Sequence, residues 1–168
     1  MNGLTARIVL VAATIGWTAA LFVATRVAGL PERTPAGYVF SAATYAAAAL
    51  VCHQRSDRSF HFWGAQFPVC ARCAGIYVGA VLACLTALGR RRSTNVAGAR
   101  RTLAAALALN GLTLVAEWGV PGVISNAGRA MAGAALGAAI MWLLTSALST
   151  AFTVSAALGS PAGRRTPL

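Results

Sequence analysis

Short polar stretches divide the chain into five apolar, alanine-rich segments: Ile8 to Thr25, Gly37 to Val51, Ala74 to Leu88, Leu103 to Ala116 and Ala130 to Phe152. With their flanks they predict helical spans at 8–25, 37–51, 70–89, 103–120 and 130–152. A bilayer core of about 30 Å asks for about 20 apolar residues in a helix. The second, third and fourth segments are shorter, so flanking residues must enter the membrane or the spans stop short. The expected fold is all-α: a polytopic membrane helical bundle of about five transmembrane helices, forming one integral membrane domain over 1–168. A Cys/His-rich hairpin loop, 52–73, joins the second span to the third and sits partly below the headgroup level.

Composition supports the membrane assignment. Hydrophobic residues make up 58% of the chain, charged residues 10%, and the mean hydropathy is +0.68, whereas a soluble domain carries roughly 25% charged residues. The first segment reads as a retained helix. It lacks a small-residue cleavage site before Pro31 and is long for the apolar region of a signal peptide.

The net charge of +11 comes from arginine alone. Most arginines stand at segment ends (Arg26, Arg33, Arg90, Arg91, Arg92, Arg100, Arg101, Arg164, Arg165), which fits lipid headgroups and orientation signals and argues against a nucleic-acid partner. The basic linker 90–101 is expected on the cytoplasmic side. Counting spans from it puts the C-terminal tail and the turn bearing Arg26 and Arg33 there too, and the N-terminus outside. The chain is then a multi-pass protein of the cytoplasmic membrane, with the motif loop and the 117–129 turn extracytoplasmic.

That orientation gives the loop its interest. Three of four cysteines, both histidines and one of three acids fall between Cys52 and Cys73. Cys70-Ala71-Arg72-Cys73 opens the third span after Pro68, and residues three apart share a helix face, so both sulfurs can aim at one centre. Cys52 and His53 complete a tetrahedral cysteine–histidine set, with His61 in reserve, and zinc is the usual occupant of such sites. A second reading is thiol exchange or a structural disulfide, since outward-facing thiols meet an oxidising compartment and a Cys-x-x-Cys near a helix N-terminus favours thiolate. Haem is disfavoured, because Cys73 precedes Ala74 and the covalent haem signature is absent. Cys84 reads as a small core residue. Phe62, Trp63 and Phe67 read as interface anchors rather than a ligand box.

Arg58, Arg72 and Arg129 lie on the outer face, where topology does not call for them, and guanidinium suits phosphate or carboxylate. Glu117, at the outer end of the fourth span, has Arg129 or the loop arginines as its partners; a lock between helices and a catalytic role weigh equally. Glu117, Arg58 and Arg129 are the catalytic candidates. Asn126 is placed to cap the fifth helix. Gly75-x-x-x-Gly79 and Gly133-x-x-x-Gly137 permit close helix approach.

Cys52-His53-Gln54, Arg58-Ser59-Phe60, the run from Gly64 through Cys73, Gly75-Ile76-Tyr77 and Ser125-Asn126-Ala127-Gly128-Arg129 with Gly133 resemble a family of small bacterial and archaeal predicted membrane proteins of unknown function. The resemblance covers roughly 45–140. It implies a shared site rather than an activity, with Cys52, His53, Arg58, Ser59, Gln66, Cys70, Arg72, Cys73, Asn126 and Arg129 as matching positions. Asn110-Gly111 departs from the pattern, since relatives are expected to carry an acid before that glycine. Three functions stand at this point. The first is a zinc-site membrane protein that binds or acts on an anionic, lipid-linked ligand, with the zinc activating water if one position stays open. The second is a non-catalytic small subunit of a larger membrane complex, its glycine faces docking and its loop clamped by a metal or disulfide. The third is a membrane thiol-disulfide oxidoreductase.

Overall fold

The computed structural model describes residues 3–89, 95–120 and 122–158. Arg90, Arg91, Arg92, Arg164 and Arg165, used above for orientation, lie outside the described residues. Among the described residues five α-helices stand where five helical spans were expected: α1 (Gly3–Ala28), α2 (Pro35–Ala49), α3 (Ala71–Gly89), α4 (Val96–Gly119) and α5 (Asn126–Leu158). Thr5–Ala28, Val96–Gly119 and Asn126–Ala151 are long and apolar enough to cross a membrane. At 15 residues, α2 rises only about 22 Å.

Local chemistry sets the helix ends. Thr34 accepts from the Gly37 N–H at 3.1 Å with Pro35 at the first helical position, so α2 starts abruptly. Asn95 does the same for Gly98 at 2.8 Å, and α4 therefore begins seven residues before the expected 103. Arg100 and Arg101 lie on the helix rather than in a linker. The cap of α5 is Ser125, whose hydroxyl accepts from the Gly128 N–H at 3.2 Å; the capping role expected of Asn126 is not its own.

The motif loop is a β-hairpin, a small sheet within an otherwise helical fold. β1 (Ser59–Phe62) pairs antiparallel with β2 (Ala65–Cys70) in the register Ser59↔Cys70, His61↔Gln66 and Phe62↔Ala65. Trp63 and Gly64 form the tip with positive φ angles of 52° and 77°, the two-residue turn whose twist matches paired strands. Pro68, which has no N–H to give a ladder, falls in the irregular stretch between paired positions.

The hairpin lies along the C-terminal half of α1. Phe67 packs at a tilt against Phe22 with ring centroids 5.0 Å apart, Arg26 sits 5.9 Å over the Trp63 ring, and a Cβ on Gly29 would fall 2.1 Å from the Trp63 carbonyl oxygen. Beyond the hairpin base Tyr77 meets Trp17 edge to face. On the other side, Tyr45 of α2 donates its hydroxyl to the Gln66 carbonyl. The turn bearing Arg26 and the hairpin tip therefore share one end of the molecule. This corrects the alternating count that put them on opposite faces: α2 is too short to separate them, and the hairpin folds back beside it.

α3 and α5 run parallel in close contact. A Cβ on Gly75 or Gly79 would fall 2.0 or 2.1 Å from the carbonyl oxygens of Ala130 and Ala134, and one on Gly133 or Gly137 would fall 2.1 or 1.9 Å from those of Arg72 and Ile76. These glycine faces are consumed inside the molecule and are not free to dock onto a larger complex, as the subunit reading required. α4 runs antiparallel to α5, with Asn110 donating to the Ala132 carbonyl at 2.8 Å and Glu117 reaching Arg129 at 3.0 Å.

Candidate metal centre and arginine cluster

Three elements converge on one point. Cys52 follows the last turn of α2, Cys70 ends β2 and Cys73 lies in the first turn of α3; their sulfurs all lie within 4.8 Å of one another. Leu21, Ala48, Phe67 and Val69 surround them in a buried core cluster. The helix-face argument for Cys70 and Cys73 takes a different form here, because Cys70 belongs to the strand and the chain turns into the helix between them. No disulfide joins any two of the four cysteines.

The sulfurs are held by the backbone as well as by packing. The Cys70 N–H donates to Cys52 Sγ at 3.1 Å, the arrangement that supports a thiolate ligand. The Cys73 thiol, hydrogen-bonded to Cys70, pulls the Cys70 pKa down to about 5 against the opposing cost of burial. Three sulfurs at this spacing suit a soft or borderline ion, since zinc–sulfur bonds of about 2.3 Å put tetrahedral ligands about 4 Å apart.

The histidines stand outside the sulfur group. His53 is exposed, and its Nδ1 accepts from the Arg55 N–H at 3.1 Å. His61 is also exposed and shares a 3.1 Å hydrogen bond with the Ser56 hydroxyl. Cys84 is fully buried on α3, apart from the sulfur group. Of the loop aromatics, Phe67 is core, whereas Phe62 and Trp63 are exposed. Phe22, Phe60, Phe62, Phe67, Val78 and Met131 help line an apolar cavity of about 270 Å³ beneath the hairpin.

A second cluster surrounds Glu117, whose side chain is only 3% exposed. Its Oε1 takes Arg72 at 2.9 Å and Arg129 at 3.0 Å, and its Oε2 faces Arg58 at 3.5 Å. Arg72 also donates to the Asn110 side chain at 3.1 Å and to Thr113 at 2.7 Å. Asn126 binds Arg129 at 2.7 Å and the Ser59 carbonyl at 3.3 Å, tying α5 to the hairpin base. Asn110, noted above only as a departure, is a buried member of this network. Its place opposite Arg72 depends on the α3–α4–α5 packing and has no local signal in the sequence.

Residues 52–143, more than half of the chain, match the predicted membrane proteins grouped as DUF2085. The chain belongs to that family. The match takes in the hairpin, α3, α4 and the first half of α5, and so contains both clusters. An uncharacterized protein of Methanothermobacter thermautotrophicus is 57% identical over 30 residues, which is 18% of this chain and 27% of that protein. An uncharacterized protein of Methanocaldococcus jannaschii is 40% identical over 62 residues, 37% of this chain and 40% of the relative. The chain thus spans well under half the length of these curated relatives. No solved structure matches it.

Proposed function

We propose that this DUF2085 protein is a single multi-pass domain of the cytoplasmic membrane that carries a zinc–thiolate centre on its extracytoplasmic face. Cys52, Cys70 and Cys73 are the ligands, and the observation that carries the reading is the meeting of their sulfurs within 4.8 Å from three separate elements. His53, next to Cys52, takes the fourth position by giving up its bond to the Arg55 N–H. Where water or substrate holds that position instead, the zinc keeps the open site that hydrolytic chemistry requires. The same face offers Arg58, Arg72 and Arg129 to an anionic, lipid-linked ligand, as guanidinium does for phosphate.

Orientation follows from Arg100 and Arg101 at the start of α4, which mark that end as cytoplasmic. The hairpin, the sulfur centre and the turn bearing Arg26 are then outside, and α1 enters from the cytoplasm, the reverse of the sequence-based count.

Thiol exchange is the second reading, favoured by the lowered pKa of Cys70 close to the sulfurs of Cys52 and Cys73. Metal analysis of the detergent-purified full chain, alongside a free-thiol count, separates the two. One zinc per chain with four reduced cysteines supports the centre, and its loss in Cys73→Ser but not Cys84→Ser assigns the ligands. A metal-free protein with a Cys52 disulfide overturns it.

A further inference from the structure

The cluster around Glu117 carries more positive charge than the structure itself neutralises. Arg58, Arg72 and Arg129 share one buried carboxylate. The nearest other acid is Asp57, whose side chain is 60% exposed and already held by both guanidinium arms of Arg55 at 3.1 Å. Counting Arg55, Arg58, Arg72 and Arg129 against Asp57 and Glu117 leaves a surplus of two positive charges at one end of α3, α4 and α5.

The arginines are not equally engaged. Arg72 and Arg129 are each held by short hydrogen bonds to Glu117 and to a neighbouring asparagine, and are 15% and 10% exposed. Arg58 is 30% exposed and meets Glu117 only at 3.5 Å; its Nε is buried, makes no hydrogen bond among the described residues and stands 3.9 Å from Asp57, beyond bonding range. A buried N–H left without an acceptor is costly. The position is therefore an organised cationic seat: Glu117 fixes two arginines, and the third, Arg58, is partly exposed and has a buried Nε without an acceptor.

From the charge surplus and the unused Arg58 donor we infer that this cluster binds one phosphate group, Arg58 closing on it while Arg72 and Arg129, oriented by Glu117, supply the field. Phosphate matches in charge, near two negative units, and its several acceptor oxygens suit forked guanidinium donors. The inference rests on the reading of this face as one that holds an anionic ligand and is independent of the zinc. The phosphate comes from a lipid headgroup or from a free phosphate, and the chemistry at the arginines is the same.

The test uses the full chain, its zinc content measured in the same preparation so that failure of the metal reading is scored separately. Inorganic phosphate is titrated by calorimetry into detergent-solubilised protein, and phosphatidic acid is titrated as mixed micelles in the same detergent. Saturable one-to-one binding of either probe supports the site: lipid alone identifies a headgroup, inorganic phosphate alone a free ligand. Arg58→Gln weakens binding by about ten- to a hundredfold, the loss of one charge-assisted hydrogen bond. Arg58→Lys, which keeps the charge and loses the Nε donor, falls between. Arg26→Gln, at the same end but over Trp63, leaves affinity unchanged. Absence of binding by either probe to folded wild-type protein, or equal weakening by Arg26→Gln and Arg58→Gln, overturns the inference.

Discussion

Replacing Glu117 tests whether its carboxylate organises the outer end of the bundle. Two of its contacts, to Arg72 at 2.9 Å and Arg129 at 3.0 Å, are short and shielded, the arginine side chains being 15% and 10% exposed. Each charge-assisted hydrogen bond of this kind is worth about 1.5–3 kcal/mol, and stripping a buried charge of its partner costs about 3–5 kcal/mol. The Arg58 contact is longer and 30% exposed, so it adds well under about 1 kcal/mol. Glu117→Ala should destabilise the protein by about 3–5 kcal/mol, and Glu117→Gln, which keeps one acceptor oxygen, by about 2–3 kcal/mol. Equilibrium unfolding in mixed micelles, followed by tryptophan fluorescence, measures both. In a cycle with Arg72→Gln the double variant should lose less than the sum of the singles, because the buried charges leave together. A Glu117→Gln protein within about 0.5 kcal/mol of wild type would refute the reasoning, since surface changes without a partner fall in that range.

If the phosphate inference holds, Glu117→Gln also shows the opposite sign in binding: with its internal carboxylate gone the cluster attracts phosphate more strongly, and added phosphate restores part of the lost stability, as any ligand of the folded state does. At the α3–α5 seam, Gly79→Ala would place its Cβ 2.1 Å from the Ala134 carbonyl oxygen, must push that helix away, and should cost about 1–3 kcal/mol in the same unfolding assay. Gly16→Ala, with nothing within 4 Å, should be neutral or stabilising by up to about 1 kcal/mol; equal effects at both positions would remove the packing argument. Glu32→Cys and His61→Cys should react with a membrane-impermeant maleimide from the same side of sealed vesicles, read by peptide mass mapping. Labelling from opposite sides would undo the shared-end placement of turn and hairpin. His53→Ala should weaken zinc retention against a chelator, whereas His61→Ala should not, since His53 adjoins Cys52 while His61 has no cysteine beside it in the chain.

The helices were legible because bilayer burial imposes long apolar runs that need no knowledge of neighbours. The sulfur group was legible for a related reason: cysteine is scarce, and Cys52, Cys70 and Cys73 are brought together by one local hairpin. The hairpin itself was signalled by alternating Phe60 and Phe62 before Trp63-Gly64, a two-residue turn, but the reactive residues on it drew attention from that period. What the sequence reading placed wrongly depends on direction. Positive charge at Arg26 and Arg33 was read as an orientation signal, and nothing local says that a hairpin will fold back along α1 and set Trp63 beneath Arg26.

The glycines carry the same lesson into the arginine cluster. Gly133 lets the backbone of α5 touch the Arg72 carbonyl, and that contact fixes how far the Arg72 side chain must reach to arrive at Asn110, Thr113 and Glu117 on α4. A larger residue at Gly133 would move Arg72 outward and weaken its bond to Glu117 without touching either charge. The close α3–α5 seam and the three-arginine seat are therefore one construction: the helices approach so that a single buried carboxylate holds two guanidinium groups at close range and a third more loosely.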